Sequence, residues 1–290
     1  MIYMAAETNT IMKADLARVR SVDFNMQFTG SVQKLMELLG VTRKIAVQEG
    51  TALKAVKVTG TLASGTVAEG ELIPLSKYQT TEETVAEAKL NKWRKATTAE
   101  AILKGGYDQA VGATTDKMLK DIQKTIRTDL ATFLATGTGE ATGVGLQAAL
   151  ANAWGKLQVL WEDDAVDTVF FLNPLDVSDY LGTANIEMQT VFGMNYVENF
   201  LGLGTVFMTS AVSKGTFYAT AKENIVTYYI NVASGDIANA FDLTTDETGY
   251  IGIREYTDND TARVLDLVMS GITFFPERID GIVKGTITGG

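Results

Sequence analysis

The clearest pattern of apolar and polar positions lies between Asp116 and Leu134. Apolar residues recur at every fourth position from Met118 to Leu130, and charged side chains fill the opposite side. This spacing places the apolar residues on one face of an amphipathic helix. No proline interrupts the segment, and glycines follow it at 137 and 139. We therefore predict a single long helix of about five turns or more.

Alternating helices and strands are indicated downstream of this helix. Apolar residues at helical spacing predict a second amphipathic helix over 146–161, and the apolar run 166–172 predicts a buried strand. Asn173 followed by Pro174 is typical of a helix start, with the asparagine as cap and the proline in the first turn. Further strands are predicted at 205–209, 216–220 and 225–230. Together these elements predict a compact α/β domain over residues 140–247.

A different, alternating pattern begins at residue 45. Strand-length pieces are separated by Gly60, Gly65 and Gly70, and few large apolar residues occupy their second face. This pattern favours an extended β-hairpin with a charged return strand over 82–99, and the hairpin would be only marginally stable by itself.

The segment before residue 45 offers little material for a core. Ser31 stands where a helix cap would, Val32 to Leu39 are apolar at helical spacing, and Gly40 follows as a terminator. We predict a short helix there, preceded by an arm with no core of its own. At the other end of the chain, 250–256 and 263–275 read as two strands joined by a turn at 257–260.

Net charge separates the chain into two unlike parts. The formal charge is −10, and it divides into +3 over residues 1–137 and −13 over 138–290. In a self-associating protein these opposite charges would let the first part of one copy lie over the second part of another, and the alternative is an uneven composition without any such contact. The basic stretch 89–95, with Trp93 and Arg94, is explained by a solvated strand better than by a nucleic-acid groove, because no second basic patch extends it.

The residue types present exclude several chemistries. The chain has no cysteine and no histidine, which excludes disulfides, thiolate catalysis, the usual zinc sites and imidazole-dependent triads. Carboxylate chemistry around Asp163, Asp164 and Asp167 stays open, although a surface turn offers no burial to shift a pKa. We predict no enzyme, no cofactor and no metal. The longest apolar runs fall short of a membrane span, and the start of the chain has no basic leader.

Three local motifs also favour structural interpretations. The glycine-rich run 137–145 lacks the Gly-Lys-Ser/Thr of a phosphate loop, so we predict a flexible link. Asp258, Asn259 and Asp260 begin like a calcium loop but lack its glycine and its distal glutamate, which favours a hairpin turn. Ser31-Val32-Gln33-Lys34 matches a Ser-x-x-Lys nucleophile pattern without the motifs that accompany it.

The order of these parts resembles that of the major capsid proteins of tailed bacteriophages, whose fold is shared with the herpesvirus capsid floor and with encapsulins. The sequence shows an arm, a short helix, a long hairpin, a long helix, an α/β domain and a closing strand pair. Arg254-Glu255, Asp258-Asn259, Pro276 and the final stretch 282–286 look like the end of such proteins. The likeness covers nearly the whole chain as architecture but only about 35 residues as local sequence, and none of its motifs is catalytic.

The resemblance implies an α+β capsid fold with four regions. Residues 1–44 would form the N-terminal arm and short helix, and 45–98 the extended loop. Residues 99–138 with 248–275 would form a peripheral domain built on the long spine helix, and 139–247 with 276–290 an axial domain. Family members that crosslink subunits join a lysine to an asparagine, but 260–263 reads Asp-Thr-Ala-Arg here, so we do not expect that chemistry.

The resemblance also implies a function as the self-assembling shell of a virion, built in the host cytoplasm as pentamers and hexamers around DNA that it contacts without sequence specificity. The implied partners are other copies of the chain, a scaffolding protein, a portal and decoration proteins, and no membrane. The expected inter-subunit contact residues are Leu53, Val56, Leu72, Ile73, Trp93, Arg94, Arg254 and Glu255. Two alternatives stay open: an encapsulin-like compartment, and an acidic α/β enzyme with residues 45–98 as its lid.

Overall fold

The computed structural model describes residues 13–161, 166–181 and 187–289. Its α-helices are α1 (Lys13–Leu38), α2 (Ala99–Gly105), α3 (Ala113–Leu134), α4 (Gly145–Leu160), α5 (Pro174–Leu181) and α6 (Gly235–Phe241), and a π-helical turn, Asp108–Gly112, precedes α3. The strands are β1 (Lys44–Ala46), β2 (Ala52–Thr61), β3 (Lys77–Glu87), β4 (Asn91–Thr98), β5 (Gly139–Val144), β6 (Thr168–Leu172), β7 (Gln189–Val191), β8 (Met194–Phe200), β9 (Gly204–Met208), β10 (Thr216–Ala221), β11 (Ile225–Tyr229), β12 (Thr244–Thr245), β13 (Ile251–Asp258), β14 (Arg263–Ser270), β15 (Thr273–Pro276) and β16 (Ile282–Thr288).

A mixed seven-stranded sheet forms the centre of the α/β part, in the order β5-β16-β10-β6-β9-β8-β7. The predicted strand at 166–172 is β6, all five residues of which are buried, and α4 packs beside it through Leu150, Ala153 and Leu157. The predicted cap before α5 is confirmed, because Asn173 Oδ1 accepts a hydrogen bond from the Leu175 amide at 3.0 Å.

The predicted long helix is confirmed as α3, which has the apolar face that its sequence spacing indicates. Its buried residues pack against α1, the seven-stranded sheet and the strand pair β13–β14 in the largest core cluster. This packing explains why the helix is amphipathic, since only one face of it meets the core.

The predictions of a helix start at Ser31 and of a coreless arm before it are wrong for residues 13–30. These residues belong to the 26-residue helix α1, and Phe24 and Phe28 on it are buried in the largest core. Ser31 lies inside the helix, where its hydroxyl contacts the Gln123 amide of α3 at 3.4 Å. The terminator is correct, since Gly40 follows the helix at a φ of 64°. Residues 1–12 of the predicted arm, with Ile11, lie outside the described residues.

The predicted flexible link at 137–145 is also wrong in its central part, which is strand β5. This strand pairs in parallel with β16 from Gly139 to Val144. A side chain at Gly143 would collide with the backbone of Ala149 on α4, and one at Gly139 would approach the Ile282 carbonyl oxygen to 2.8 Å. The glycines therefore allow close packing between strand and helix rather than flexibility.

The return strand predicted for 82–99 is divided between two sheets. β3 pairs with β2 as the hairpin, whereas β4 pairs with β14 over eight residue pairs in a four-stranded sheet with β12 and β13. The predicted loop 45–98 therefore includes one strand of the sheet that lies against α1. The predicted turn between two strands is confirmed but lies at 259–262 rather than 257–260, because Thr257 and Asp258 still pair with Val264 and Arg263.

The hairpin itself is confirmed. Its strands are antiparallel from the pair Ala52–Glu87 at the base to the pair Thr61–Lys77 at the far end, with one irregularity between Leu53 and Lys54. Residues 62–76 join the strands without regular structure. Below, "the base" means the end of the hairpin at Ala52 and Glu87, and "the tip" means residues 62–76.

Candidate assembly surface

The base of the hairpin is anchored to the rest of the chain by a small apolar cluster. Leu53, Ala55 and Ala88 are buried there together with Ile230 and Phe275. Because each partner in this cluster comes from the same chain, the base is stabilised without another subunit.

Ring contacts and one backbone hydrogen bond reinforce the anchor. The ring of Phe275 lies edge-on to Phe133 at 5.3 Å and to Tyr228 at 6.1 Å between centroids. The Val56 amide donates to the Glu277 carbonyl oxygen at 2.8 Å, which joins β2 to the residue after β15. These contacts fix the direction in which the hairpin leaves the body.

The tip has the opposite character, because its large apolar side chains face solvent. Leu72 is 93% exposed, Ile73 is 69% exposed and Leu75 is 96% exposed. Leu62 and Tyr78 are likewise exposed beside them. An exposed apolar patch at the end of a long projection is typical of a surface that binds a partner.

The hairpin residues predicted as inter-subunit contacts therefore lie in different environments. Leu53 is 1% exposed inside the base cluster, so its side chain is occupied within its own chain. Val56 is half-buried next to Glu277. Leu72 and Ile73 are free to touch another molecule. Leu62, Leu75 and Tyr78 were not among the predicted contacts, although the alternation that identified the hairpin contains the first two.

Trp93 and Arg94 are neighbours on β4 but lie on opposite faces of the four-stranded sheet. Trp93 is opposite Val268 and packs against the largest core, whereas Arg94 is exposed. The alternation of the strand explains the difference. Of the two predicted contacts, only Arg94 presents its side chain to solvent.

Arg254 and Glu255 are also divided between the two faces, in this case of β13. Arg254 donates to the Phe241 carbonyl oxygen at 3.2 Å and lies over the ring of Tyr256. Glu255 accepts a hydrogen bond from the Tyr107 hydroxyl at 2.6 Å and forms an ion pair with Arg20 of α1. Both side chains thus have partners within the chain, which gives them a structural role in the subunit.

The cluster of Arg20, Tyr107 and Glu255 changes the pKa of the Tyr107 hydroxyl. Burial, together with the hydrogen bond to Glu255, raises the pKa of Tyr107 to about 12. Its guanidinium neighbour, Arg20, lies 4.6 Å from the ring centroid. The protonated hydroxyl is needed as a donor here, so the cluster ties α1 to β13 throughout the neutral pH range.

A second polar cluster lies one strand away. Lys95 Nζ is 2.8 Å from Asp266 Oδ2 on the neighbouring strand, and the Asp266 side chain is 2% exposed. Lys95 also donates to the Val111 carbonyl oxygen at 3.0 Å, within the π-helical turn before α3. The ion pair therefore joins β4, β14 and the start of α3, and its donors and acceptors are satisfied as a buried pair requires.

Within the described ranges, no group of three or more acidic, cysteine or histidine side chains could hold a metal ion. Asp163 and Asp164 lie outside the described residues, and Asp167 is largely exposed beside Lys222 at 3.5 Å. None of the described helices combines the length and apolar character needed to cross a membrane.

Comparison with solved structures identifies the fold. The chain is similar to a virus-like particle from Pyrococcus furiosus (14% identity, TM-score 0.50, covering 91% of this chain and 97% of the other). It is also similar to the cyanophage A-1(L) capsid, with 10% identity and a TM-score of 0.53 over 87% of this chain and 91% of the other. The SrpI encapsulin of Synechococcus elongatus is similar as well, with 10% identity and a TM-score of 0.50 over 86% of each chain. No family model and no curated protein matches the sequence.

These matches show the fold of the chain. The chain has the fold of tailed-phage capsid proteins, which encapsulins share, and it spans nearly the full length of the chains it matches. The predicted fold class is thereby confirmed. At 14% identity or less, the likeness concerns the fold.

Proposed function

We propose that this protein is a shell-forming capsid subunit. The observation that carries the proposal is the hairpin of the described fold, because its base is buried in its own chain while its tip exposes Leu72, Ile73 and Leu75. An apolar tip held away from the body is unfavourable in water for an isolated subunit and becomes favourable when another copy covers it. Several such contacts per subunit would add into a closed shell.

The finer form of the proposal is a major capsid protein of a tailed phage or prophage. Its shell, built of pentamers and hexamers in the host cytoplasm, encloses double-stranded DNA, with a scaffolding protein, a portal and decoration proteins as partners. The likeness to the cyanophage capsid and the acidic balance of the chain support this form, since an acidic lining would avoid tight adhesion to DNA.

We further propose that the regions inferred from the resemblance apply with one change. Residues 45–90 form the extended loop, and β4 joins 99–138 and 248–275 in the peripheral domain. The pairing of β4 with β14 supports this boundary. The axial domain comprises 139–247 and 276–290, and the seven-stranded sheet, whose strands all lie within these ranges, supports it.

An encapsulin-like compartment is the second candidate, because one similar structure is an encapsulin complex. It shares the subunit fold and differs in its contents. No arrangement in the described residues favours the third candidate, a carboxylate enzyme with the hairpin as lid.

Electron microscopy of the purified protein tests the proposal. We expect closed, uniform shells. Nucleic acid that resists nuclease in shells isolated from the native source would support the phage form, and a protein cargo would support the compartment. A protein that stays at its subunit mass of 31.3 kDa at micromolar concentration would contradict both forms.

A further inference from the structure

The strongest unassigned feature is the solvent-facing side of the four-stranded sheet. Strand β14 lies between β4 and β13, and Leu267 on it is the cross-strand partner of both Arg94 and Arg254. Because directly paired residues share a face, these three side chains project from the same side of the sheet. The other side of the sheet packs against the largest core, as Trp93 shows. Below, "the basic face" means the solvent-facing side that carries Lys92, Arg94, Arg254 and Arg263.

The fold creates this face by bringing together basic residues from two distant parts of the chain. Lys92 and Arg94 belong to the basic stretch 89–95, which the sequence leaves without a second basic patch. Pairing of β4 with β14 and of β14 with β13 places Arg254 and Arg263 beside them. Two strand spacings separate the Cα atoms of Arg94 and Arg254 by about 10 Å, and two residues along β4 separate those of Lys92 and Arg94 by about 7 Å. The structure thereby supplies the extended basic patch that a nucleic-acid surface requires.

The cations of the basic face are available to a ligand. Lys92 and Arg94 are exposed and have no ion-pair partner among the residues that the structure describes. Arg254 and Arg263 each lie beside one aspartate, at 3.8 and 3.5 Å, and 37% and 39% of their side chains are exposed. Solvent screens such pairs, and a guanidinium has five N–H donors. Both arginines therefore retain donors for a further anion.

The charge of the basic face is opposite to that of the whole chain. The chain has a formal net charge of −10. Among the described residues on this side of β4, β14 and β13, Asp258 at the edge is the single acidic side chain against four basic ones. Tyr256 lies on the same side, with the guanidinium of Arg254 5.2 Å from its ring centroid. A local reversal of sign in an acidic protein indicates a surface for an anionic partner.

The spacing and type of these cations favour nucleic acid over an acidic protein segment. A DNA duplex carries one charge per ~1.7 Å of its axis, so cations about 7–10 Å apart can each meet a different phosphate in any sequence. An extended protein segment has one residue per ~3.3–3.6 Å, so even a wholly acidic segment carries about half that charge density. Arginine also binds phosphate through two parallel N–H bonds, which fits the two arginines in the row across the sheet.

We propose that the basic face binds the phosphate backbone of nucleic acid without sequence specificity. The proposal rests on the proposed function and assigns this side of the sheet to the interior of the shell. Binding through four cations is weak at physiological salt, and the acidic balance of the rest of the chain confines adhesion to this face. The enclosed nucleic acid is thus held loosely.

Fluorescence anisotropy of a labelled DNA duplex measures this binding. The full-length chain is kept below the concentration at which it assembles, so that both sides of the sheet are accessible. With four phosphate contacts, the Kd should rise about 150-fold between ~50 and ~200 mM salt, because each contact contributes about −0.9 to the slope of log K against log salt. Lys92→Gln/Arg94→Gln removes two of these contacts, and its Kd should rise only about 12-fold over the same range.

The matched control removes the same charge elsewhere. Lys120→Gln/Lys124→Gln neutralises two exposed lysines on α3 and should keep the salt dependence of the unmodified chain. Equal losses of salt dependence from both double variants would overturn the assignment, because binding would then follow net charge rather than the basic face. Tighter binding of poly-L-glutamate than of the duplex, at equal charge concentration, would also overturn it and indicate an acidic protein partner.

Shells assembled from the chain alone test the inward direction separately. Shells of Lys92→Gln/Arg94→Gln should form in normal yield but protect several-fold less nucleic acid from nuclease than shells of the control variant. Equal protection by the two variants would overturn the proposal. Labelled duplex that binds the outside of closed unmodified shells, but not shells of Lys92→Gln/Arg94→Gln, would also overturn it.

These outcomes separate the two proposals. A basic face that fails any of these measurements leaves the proposed function intact as long as shells form. An unmodified chain that forms no shells would overturn the proposed function itself.

Discussion

The base and the tip of the hairpin are continuous in sequence but opposite in character. At the base, Leu53, Ala55 and Ala88 are covered by residues of the same chain. At the tip, Leu72 and Leu75 are almost fully exposed. The base therefore contributes to the folding of one subunit, and the tip is available for contacts between subunits. Under the proposed function, this single hairpin would serve folding at one end and assembly at the other.

The largest effect on stability should come from removing a large apolar side chain from the cluster at the base of the hairpin. Phe275→Ala removes the ring that joins β15 to α3 and to the hairpin, and we expect the free energy of unfolding to fall by about 3–5 kcal/mol. Urea denaturation followed by tryptophan fluorescence measures it. The matched control is Leu75→Ala at the tip, which should change the value by less than about 0.5 kcal/mol. Similar losses in the free energy of unfolding from both variants would contradict the proposed difference between the base and the tip.

The next effect concerns the polar link immediately beyond the base. Lys95→Met leaves Asp266 as a buried charge without its partner, and we expect a loss of about 3 kcal/mol in the free energy of unfolding. Lys89→Met, at an exposed position six residues earlier, is the control and should have little effect. If Lys95→Met unfolds at the same urea concentration as the unmodified chain, β4 does not depend on this ion pair.

A smaller and pH-dependent effect is expected at Tyr107. Tyr107→Phe removes the donor to Glu255, and we expect a loss of about 1–2 kcal/mol at pH 8. The folded state holds the proton more tightly than the unfolded state, since the pKa of Tyr107 rises from 10.0 to about 12. This stabilisation is complete below pH 10 and is lost as the pH rises through 12.

Urea midpoints of the unmodified chain and of Tyr107→Phe, compared between pH 8 and pH 12, test this sign. The gap between the two proteins should narrow as the pH rises. A gap that widens with pH would show that the hydroxyl is not held protonated by the fold.

The smallest effect should come from the ion pair on the exposed part of the hairpin. Lys54 and Glu82 lie 2.8 Å apart with about half of each side chain exposed. Solvent screens such a pair, so Lys54→Ala should leave the urea midpoint unchanged. A clear shift in the urea midpoint would mean that this ion pair, and not only the base cluster, stabilises the hairpin.

Elements with local signals could be predicted from the sequence. The four-residue apolar repeat of α3, the Asn173-Pro174 start of α5 and the turn between β13 and β14 are each encoded within a few residues, and the structure confirms these three features. The hairpin was likewise predictable, since its alternation lies within one continuous segment.

Elements that depend on distant partners were not predictable in this way. The pairing of β4 with β14 joins segments about 170 residues apart, and β5 is a strand only because β16 lies beside it. The part of helix α1 before residue 31 is not predicted, because buried polar residues such as Ser21, Asn25 and Thr29 interrupt its apolar pattern. Leu53 was predicted to contact another subunit, but its side chain is buried within its own chain. The sequence alone does not show which end of the hairpin packs against the body of the same subunit.

The most direct test of assembly by the tip is its replacement. Joining Thr61 to Lys77 through Asn-Gly, a turn that fits a two-residue hairpin, removes residues 62–76 and leaves β2, β3 and the base unchanged. Sedimentation velocity should then show a single species of subunit mass with unaltered circular dichroism, while the unmodified chain sediments as shells. Shells formed in normal yield by the replaced chain would contradict the account.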